Sequence, residues 1–293
     1  MHKLKLTILL VTVLALQFCV AIAEPASDRI TVTVRGQGPD IVFIPGLASS
    51  GAAWDAAARH LEGHYRLHII QIAGFAGTPA RANAQGPVIQ PTLDALDAYI
   101  KTNNLKSPKV IGHSLGGLMG IMLTLQHPED VDKLMIVDAL PFFSVLFGAI
   151  DAATATPQAA AMRDRILAET QDAYAEGEKE FVRALVKSPE GLKQVTRWAI
   201  ASDKSVVARA LYEDMTTDVR PRLHEVKTPV TILYPWDAST GIPHTACDRL
   251  YQENYALLPN KTFVPIDGSF HFIMLDQPDL FANQVDVFLR TAD

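Results

Sequence analysis

A mostly parallel β-sheet with helices on both faces, interrupted by one purely helical insertion, is the fold class this sequence predicts. Three observations lead to it. Short apolar runs of strand length alternate with amphipathic stretches of helix length along most of the chain. The alternation stops between about 140 and 225, where no convincing strand occurs. A chain of 293 residues that is 48% hydrophobic can also bury one large core.

Taken in order, the apolar or alternating runs at 29–35, 40–44, 66–72, 108–112, 132–137, 229–234 and 262–266 read as strands. Helices are expected between them at about 52–61, 91–103, 115–126, 242–257 and 277–290. Within the insertion, Ala159 to Glu176 and Gly177 to Lys187 read as amphipathic helices rich in Ala, Glu and Arg. No internal repeat, low-complexity linker or phosphate-binding Gly-rich loop is present.

The densest chemical signal is Gly112-His113-Ser114-Leu115-Gly116. A short strand, Pro108 to Ile111, runs into it, and an apolar stretch at helical spacing, Leu115 to Leu123, leaves it. G-x-S-x-G alone would occur by chance in about one chain in ten of this length at average Gly and Ser frequencies. Between a strand and a helix it reads as a nucleophile elbow, a turn so tight that the positions two before and two after the serine must lack side chains. Such a serine needs a base, an orienting acid and an oxyanion hole.

On these residues the chain resembles the α/β-hydrolase superfamily of serine esterases, lipases and their relatives, over roughly residues 29 to 291. The resemblance implies specific roles. The loop after Ile41-Val42-Phe43-Ile44, which is Pro45-Gly46-Leu47, would give the Leu47 N–H to the oxyanion hole, and Leu115 would give the second donor. This chain has Pro45-Gly46 where many members have His-Gly. His271, in the loop after the last strand, stands where the family keeps its base. For the acid, Asp237 after Val230 to Tyr234 holds the usual family position and is preferred. Asp138, one strand earlier after Leu134 to Val137, is the rival, because some members place the acid there. The losing aspartate is expected to hydrogen-bond its own turn. The order Ser114, Asp237, His271 agrees with the fold.

Beyond a leader (1–23), the same resemblance divides the chain into a core (24–139 and 226–293) and a helical cap (140–225) over the site. Phe142 and Phe143, in the apolar stretch that begins the cap, are candidate acyl-pocket residues beside Leu47. No cofactor or metal is expected. His60, His64 and His68 stand four apart, but Gly63 interrupts their helix, so they would not share a metal-binding face. His113 reads as a packing residue of the elbow.

The first 23 residues carry a basic start (His2, Lys3, Lys5), an apolar stretch from Ile8 to Val20 and an Ala21-Ile22-Ala23 cleavage signal. They read as a secretory signal peptide cut after Ala23, with a periplasmic or secreted destination and no stable membrane anchor. Its removal leaves 24 Lys and Arg against 32 Asp and Glu, a net charge of −8 that discourages nucleic-acid binding. Cys19 leaves with the leader, and Cys247 alone cannot form an intrachain disulfide.

The expected activity is hydrolysis of carboxylic esters of small to medium acyl groups through an acyl-enzyme. A lactone, thioester or amide would suit the same apparatus. An iminopeptidase-type amidase would need a cap carboxylate for a substrate amine, with Glu169, Glu176, Glu178 and Glu180 as candidates. A non-catalytic binding protein of the same fold is the alternative from another class.

Overall fold

The computed structural model describes residues 24–25 and 27–290; the expected leader and its cut after Ala23 lie outside the described residues. Among the described residues, eight strands form one sheet: β1 (Glu24–Pro25), β2 (Ile30–Arg35), β3 (Asp40–Ile44), β4 (Arg66–Ile72), β5 (Lys109–His113), β6 (Leu134–Val137), β7 (Val230–Trp236) and β8 (Lys261–Asp267). Their spatial order is β1-β2-β4-β3-β5-β6-β7-β8. The seven expected strands are all present. The two-residue β1, which the sequence pattern did not signal, pairs antiparallel with β2, and β2 pairs antiparallel with β4. From β4 to β8 every pairing is parallel. Parallel strands are buried on both faces, which is why β3, β5 and β6 read as continuous apolar runs.

Ten α-helices among the described residues accompany the sheet: α1 (Asp55–Leu61), α2 (Ile89–Thr102), α3 (Leu115–Gln126), α4 (Ala152–Ala168), α5 (Gln171–Val182), α6 (Pro189–Ala201), α7 (Lys204–Thr216), α8 (His244–Asn254), α9 (Ile273–Asp276) and α10 (Pro278–Arg290). After β3 the chain steps to β4 on one side, then crosses back to β5 on the other. In an open parallel sheet this reversal leaves a crevice beyond the carboxyl ends of the two strands. Pro45-Gly46-Leu47 and Ser114 follow those two ends. Beneath them Trp54 is fully buried, its ring 5.2 Å from that of Phe43 and 5.9 Å from that of Phe281.

The insertion between β6 and β7 is helical, as expected, but its helix boundaries differ from the sequence reading. One helix runs from Ala152 to Ala168 and the next starts at Gln171. Local capping decides this. Asp151 closes a capping box with Thr154, and the Thr170 side chain accepts from the Ala173 N–H, so the chain turns at Glu169–Thr170 rather than at Gly177.

Side chains tie the insertion to the core. Helix α2 has no residue of its own to cap its first turn; the Glu213 carboxylate of α7 accepts from the N–H groups of Val88 (2.8 Å) and Ile89 (2.7 Å) instead. Ser202 Oγ accepts from the Ala76 N–H at 2.8 Å. The Phe272 N–H, in the late loop, donates to the Leu185 carbonyl at 3.2 Å.

Candidate active site

Ser114 has φ 53° and ψ −124°, a conformation that costs a non-glycine residue energy and is held by its surroundings. Those surroundings are its glycines. A Cβ on Gly112 would fall 2.2 Å from the Gly116 carbonyl oxygen, and one on Gly116 would fall 2.3 Å from the Ile44 carbonyl oxygen. The elbow therefore packs directly against the end of β3. Gly46 serves the same closeness from the other side: a Cβ there would lie 3.0 Å from the Ser114 Cβ and 2.9 Å from His113 Nδ1. Leu115 begins α3, so its N–H is one of the helix's unpaired donors. Neither that N–H nor that of Leu47 has a hydrogen-bond acceptor among the described residues.

His271 is presented by the loop between β8 and α9. Its ring lies against the ring of His113, centroids 4.4 Å apart, and so beside the elbow. His113 is buried, and burial holds it well below the usual imidazole range. Its neutral Nε2–H donates to the His271 carbonyl at 3.0 Å. The residue read as elbow packing thus also fixes the backbone of the candidate base. The loop is held further by the Asp276 carboxylate, which accepts from the Phe270 N–H at 2.9 Å, and by Gln277, whose amide donates to the Gly268 carbonyl at 3.0 Å.

The structure brings Asp138, not Asp237, to the histidine. The His271 Nδ1–H donates to Asp138 Oδ2 at 2.6 Å. Asp138 sits one residue past β6 with φ 48°, its own N–H donating to the Leu233 carbonyl at 2.8 Å. Its second oxygen accepts from the Tyr251 hydroxyl. Burial and the adjacent carboxylate push the Tyr251 phenol well above its ordinary value, so it remains a donor. Tyr255, one helical turn on, bonds the Ala139 carbonyl at 2.8 Å and holds the same segment.

Asp237, preferred from the sequence, is engaged elsewhere. Its Oδ2 accepts from Lys187 Nζ at 2.5 Å, and its Oδ1 from the Ser239 N–H at 2.9 Å and the Ser239 hydroxyl. The Lys187 ammonium, then the Ser239 donors, hold its carboxyl down at about 2. The expectation that the losing aspartate would bond its own turn applies to Asp237. The Asp237-Ala238-Ser239 spacing, which suits an aspartate capping a short turn, was the signal that could have separated the two.

Phe142 also needs correction as a substrate-binding residue. It is fully buried with the Arg220 guanidinium 4.5 Å above its ring, so it offers no surface to a ligand. Phe143 keeps partial exposure and packs edge-on against Phe147 at 5.4 Å. Of the glutamates in the insertion, Glu176 and Glu180 are exposed and pair along α5 with Lys179 and Arg183, Glu169 lies 3.6 Å from Arg165, and burial pushes Glu178 up to about 7.

The three spaced histidines go to separate places. His60 faces Asp286 at 3.0 Å, His64 lies beyond α1, and buried His68 bonds the Tyr99 hydroxyl (2.7 Å) and Asp40 (2.9 Å). Among the described residues, Asp97, His127 and Asp130 come close enough to share an ion, but Lys101 Nζ already sits 2.8 Å from Asp97. Cys247 is partly buried on α8, its thiol donating to the Pro235 carbonyl at 3.3 Å and pushed up to about 11 by burial.

The model of the alpha/beta hydrolase family matches residues 41–284. The chain belongs to the alpha/beta hydrolase family. Among relatives of this hydrolase is a pimeloyl-[acyl-carrier protein] methyl ester esterase of Aeromonas salmonicida, 34% identical over 114 residues. That match covers 39% of this chain and only 43% of the relative's length. A protein named as a provisional carbamate hydrolase, RutD, of Agrobacterium fabrum is 24% identical over 88% of this chain and 95% of its own. The enol-lactonase structure from Burkholderia xenovorans superposes with a TM-score of 0.72 at 17% identity, covering 89% of this hydrolase and 96% of that chain, and so shares its fold.

Proposed function

We propose that this hydrolase is a serine carboxylic-ester hydrolase acting through Ser114, His271 and Asp138. The observation that carries the reading is the His271–Asp138 hydrogen bond of 2.6 Å beside the strained elbow of Ser114. Asp138 holds the imidazole in the tautomer whose Nε2 is free to take the Ser114 proton and stabilises the imidazolium that forms. The Ser114 oxygen attacks the ester carbonyl, and the developing oxyanion is met by the N–H groups of Leu47 and Leu115, donors each worth about 3 kcal/mol in comparable sites. The alcohol leaves with the proton from His271. Water, deprotonated by His271, then attacks the acyl-enzyme and releases the acid.

Esters are favoured over aminoacyl amides because Glu169, Glu176 and Glu180 pair with Arg165, Lys179 and Arg183, and burial raises Glu178 to about 7, so that none of the four offers a fully ionised, unpaired carboxylate to a substrate ammonium at neutral pH. The names of the esterase and lactonase relatives are in keeping with acyl-oxygen cleavage. The helices between β6 and β7 act as the cap, and the basic-apolar leader ending at Ala23 supports export to a periplasm or medium.

The test is hydrolysis of p-nitrophenyl esters of graded acyl length by the protein and by Ser114→Ala. Turnover that disappears in the variant supports the reading. Turnover that persists in it, or is absent at every length in the parent, sinks it.

A further inference from the structure

The loop that carries His271 is fastened to the insertion on both sides of the histidine. After it, the Phe272 N–H donates to the Leu185 carbonyl, in the connection between α5 and α6, at 3.2 Å. Before it, the Phe270 N–H donates to Asp276 Oδ2 at 2.9 Å. Asp276 closes α9, and its carboxylate reaches the same connection. Its Oδ1 accepts from the Ser188 N–H at 2.8 Å and from the Lys187 N–H at 3.0 Å, with Oδ2 3.1 Å from the Lys187 nitrogen. One side chain thus joins the residue before the candidate base to two residues of the insertion.

The seam is tightly packed. Ser188 Oγ donates to the Leu275 carbonyl at 3.0 Å. A Cβ on Gly191, in the first turn of α6, would fall 2.5 Å from Ser188 Oγ and 3.1 Å from Leu275 Cβ. Lys187 is held a second time, through its side chain, by Asp237. Close-packed segments of this kind transmit a displacement rather than absorb it. The backbone of the base is therefore set from two directions: His113 of the elbow holds the His271 carbonyl at 3.0 Å, and the insertion holds the N–H groups of both neighbours. Bonds from N–H groups to a carboxylate are about twice as strong as neutral ones. An asparagine at position 276 has one accepting oxygen and could serve Phe270 or the insertion, not both.

Resting on the reading of His271 as the general base, we propose that Asp276 is a positioning residue: by joining Phe270 to Lys187 and Ser188 it sets the His271 imidazole against Ser114, so that the insertion takes part in aligning the base. A carboxylate that only braced the fold would cost stability on removal and leave each folded molecule fully active.

The experiment compares the parent with Asp276→Asn, which weakens the seam from the loop side, and Gly191→Ala, which wedges it from the insertion side. The rate of Ser114 labelling by an active-serine fluorophosphonate is measured for each, and kcat on a p-nitrophenyl ester is expressed per serine that the probe labels at completion. This count removes unfolded protein from the comparison. In Asp276→Asn both kcat and the labelling rate fall about 10- to 100-fold, the cost of a base misplaced by a fraction of an ångström to one ångström. KM stays within about twofold, because acylation and deacylation use the same base and slow together. Gly191→Ala shows the same pattern with a smaller loss. Either variant with the parent's kcat and labelling rate per labelled site overturns the proposal, so that if one fails to fold the other decides. A loss confined to KM overturns it too, since that would place the disturbance in the substrate pocket. A parent that is labelled but turns over no ester sinks the ester reading alone, and the labelling rates still test Asp276. A parent that is not labelled overturns this proposal together with the assignment of Ser114 and His271.

Discussion

Asp138 and Asp237 end adjacent parallel strands, each after an apolar run, and the structure gives them opposite employment. Beyond β6, the backbone at Asp138 folds back with φ 48°, one carboxylate oxygen receives the His271 N–H, and the other receives the Tyr251 hydroxyl. Beyond β7, the backbone at Asp237 stays extended and its carboxylate closes its own turn through Ser239 while Lys187 arrives from the insertion. The first carboxylate meets the candidate base, an imidazole that gains and loses charge in the proposed reaction. The second meets a permanent cation and is held ionised. Two acids of the same type, one strand apart, become a candidate triad member and a bond between the insertion and the core through what reaches them from elsewhere in the chain.

The largest effects should separate the two directly. Asp138→Asn is expected to lower kcat/KM on p-nitrophenyl esters by about 10³- to 10⁴-fold, because the histidine loses its orienting anion. If Asp237→Asn shows that loss and Asp138→Asn does not, the assignment is reversed. Tyr251→Phe removes only the hydroxyl that steadies Asp138, and steady-state kinetics should show a loss of about tenfold, mainly in kcat.

Stability against pH sharpens the contrast through Asp214 and Asp237. Asp214 is buried on α7, and burial raises it to about 7, so the folded state holds its proton where the unfolded chain has lost it, and stability falls as pH rises from about 4 to 7. Asp214→Asn abolishes that ionisation. Its unfolding midpoint relative to the parent should therefore climb between pH 4 and pH 8, by an amount equivalent to roughly 2 to 4 kcal/mol at full ionisation. A gap independent of pH would show that Asp214 is not buried as described.

Asp237 has the opposite sign. Lys187 and Ser239 hold it at about 2, so its contribution is present above the ordinary carboxylate value and is lost as pH falls from about 4 towards 2. Asp237→Asn should be slightly less stable than the parent at neutral pH, and the two melting curves should converge near pH 2. The smallest expected effect is on catalysis: Asp237→Asn should keep ester hydrolysis within about threefold, measured alongside Asp138→Asn.

How much of this could be read in advance varies from residue to residue. The elbow was legible because its constraint is local: a turn that brings the Gly112 Cβ position within 2.2 Å of the Gly116 carbonyl tolerates no side chain at either place. His271 was legible from its position after the last strand. The insertion was legible as helical, but its turn at Thr170 depended on a cap that composition alone does not reveal.

The sequence by itself determined the parallel sheet, the strand–elbow–helix that carries Ser114, the histidine loop and the pair of aspartates from which an acid had to come. These follow from patterns within a few residues: apolar runs, glycine spacing and the alternation of period. Tertiary structure alone decided which aspartate faces His271, that Phe142 is buried under Arg220, and that Glu213 of α7 caps a helix more than a hundred residues earlier in the chain. Each depends on a side chain delivered across the fold, Tyr251 and Lys187 among them, and a carboxylate goes to whichever donor the packed chain places beside it.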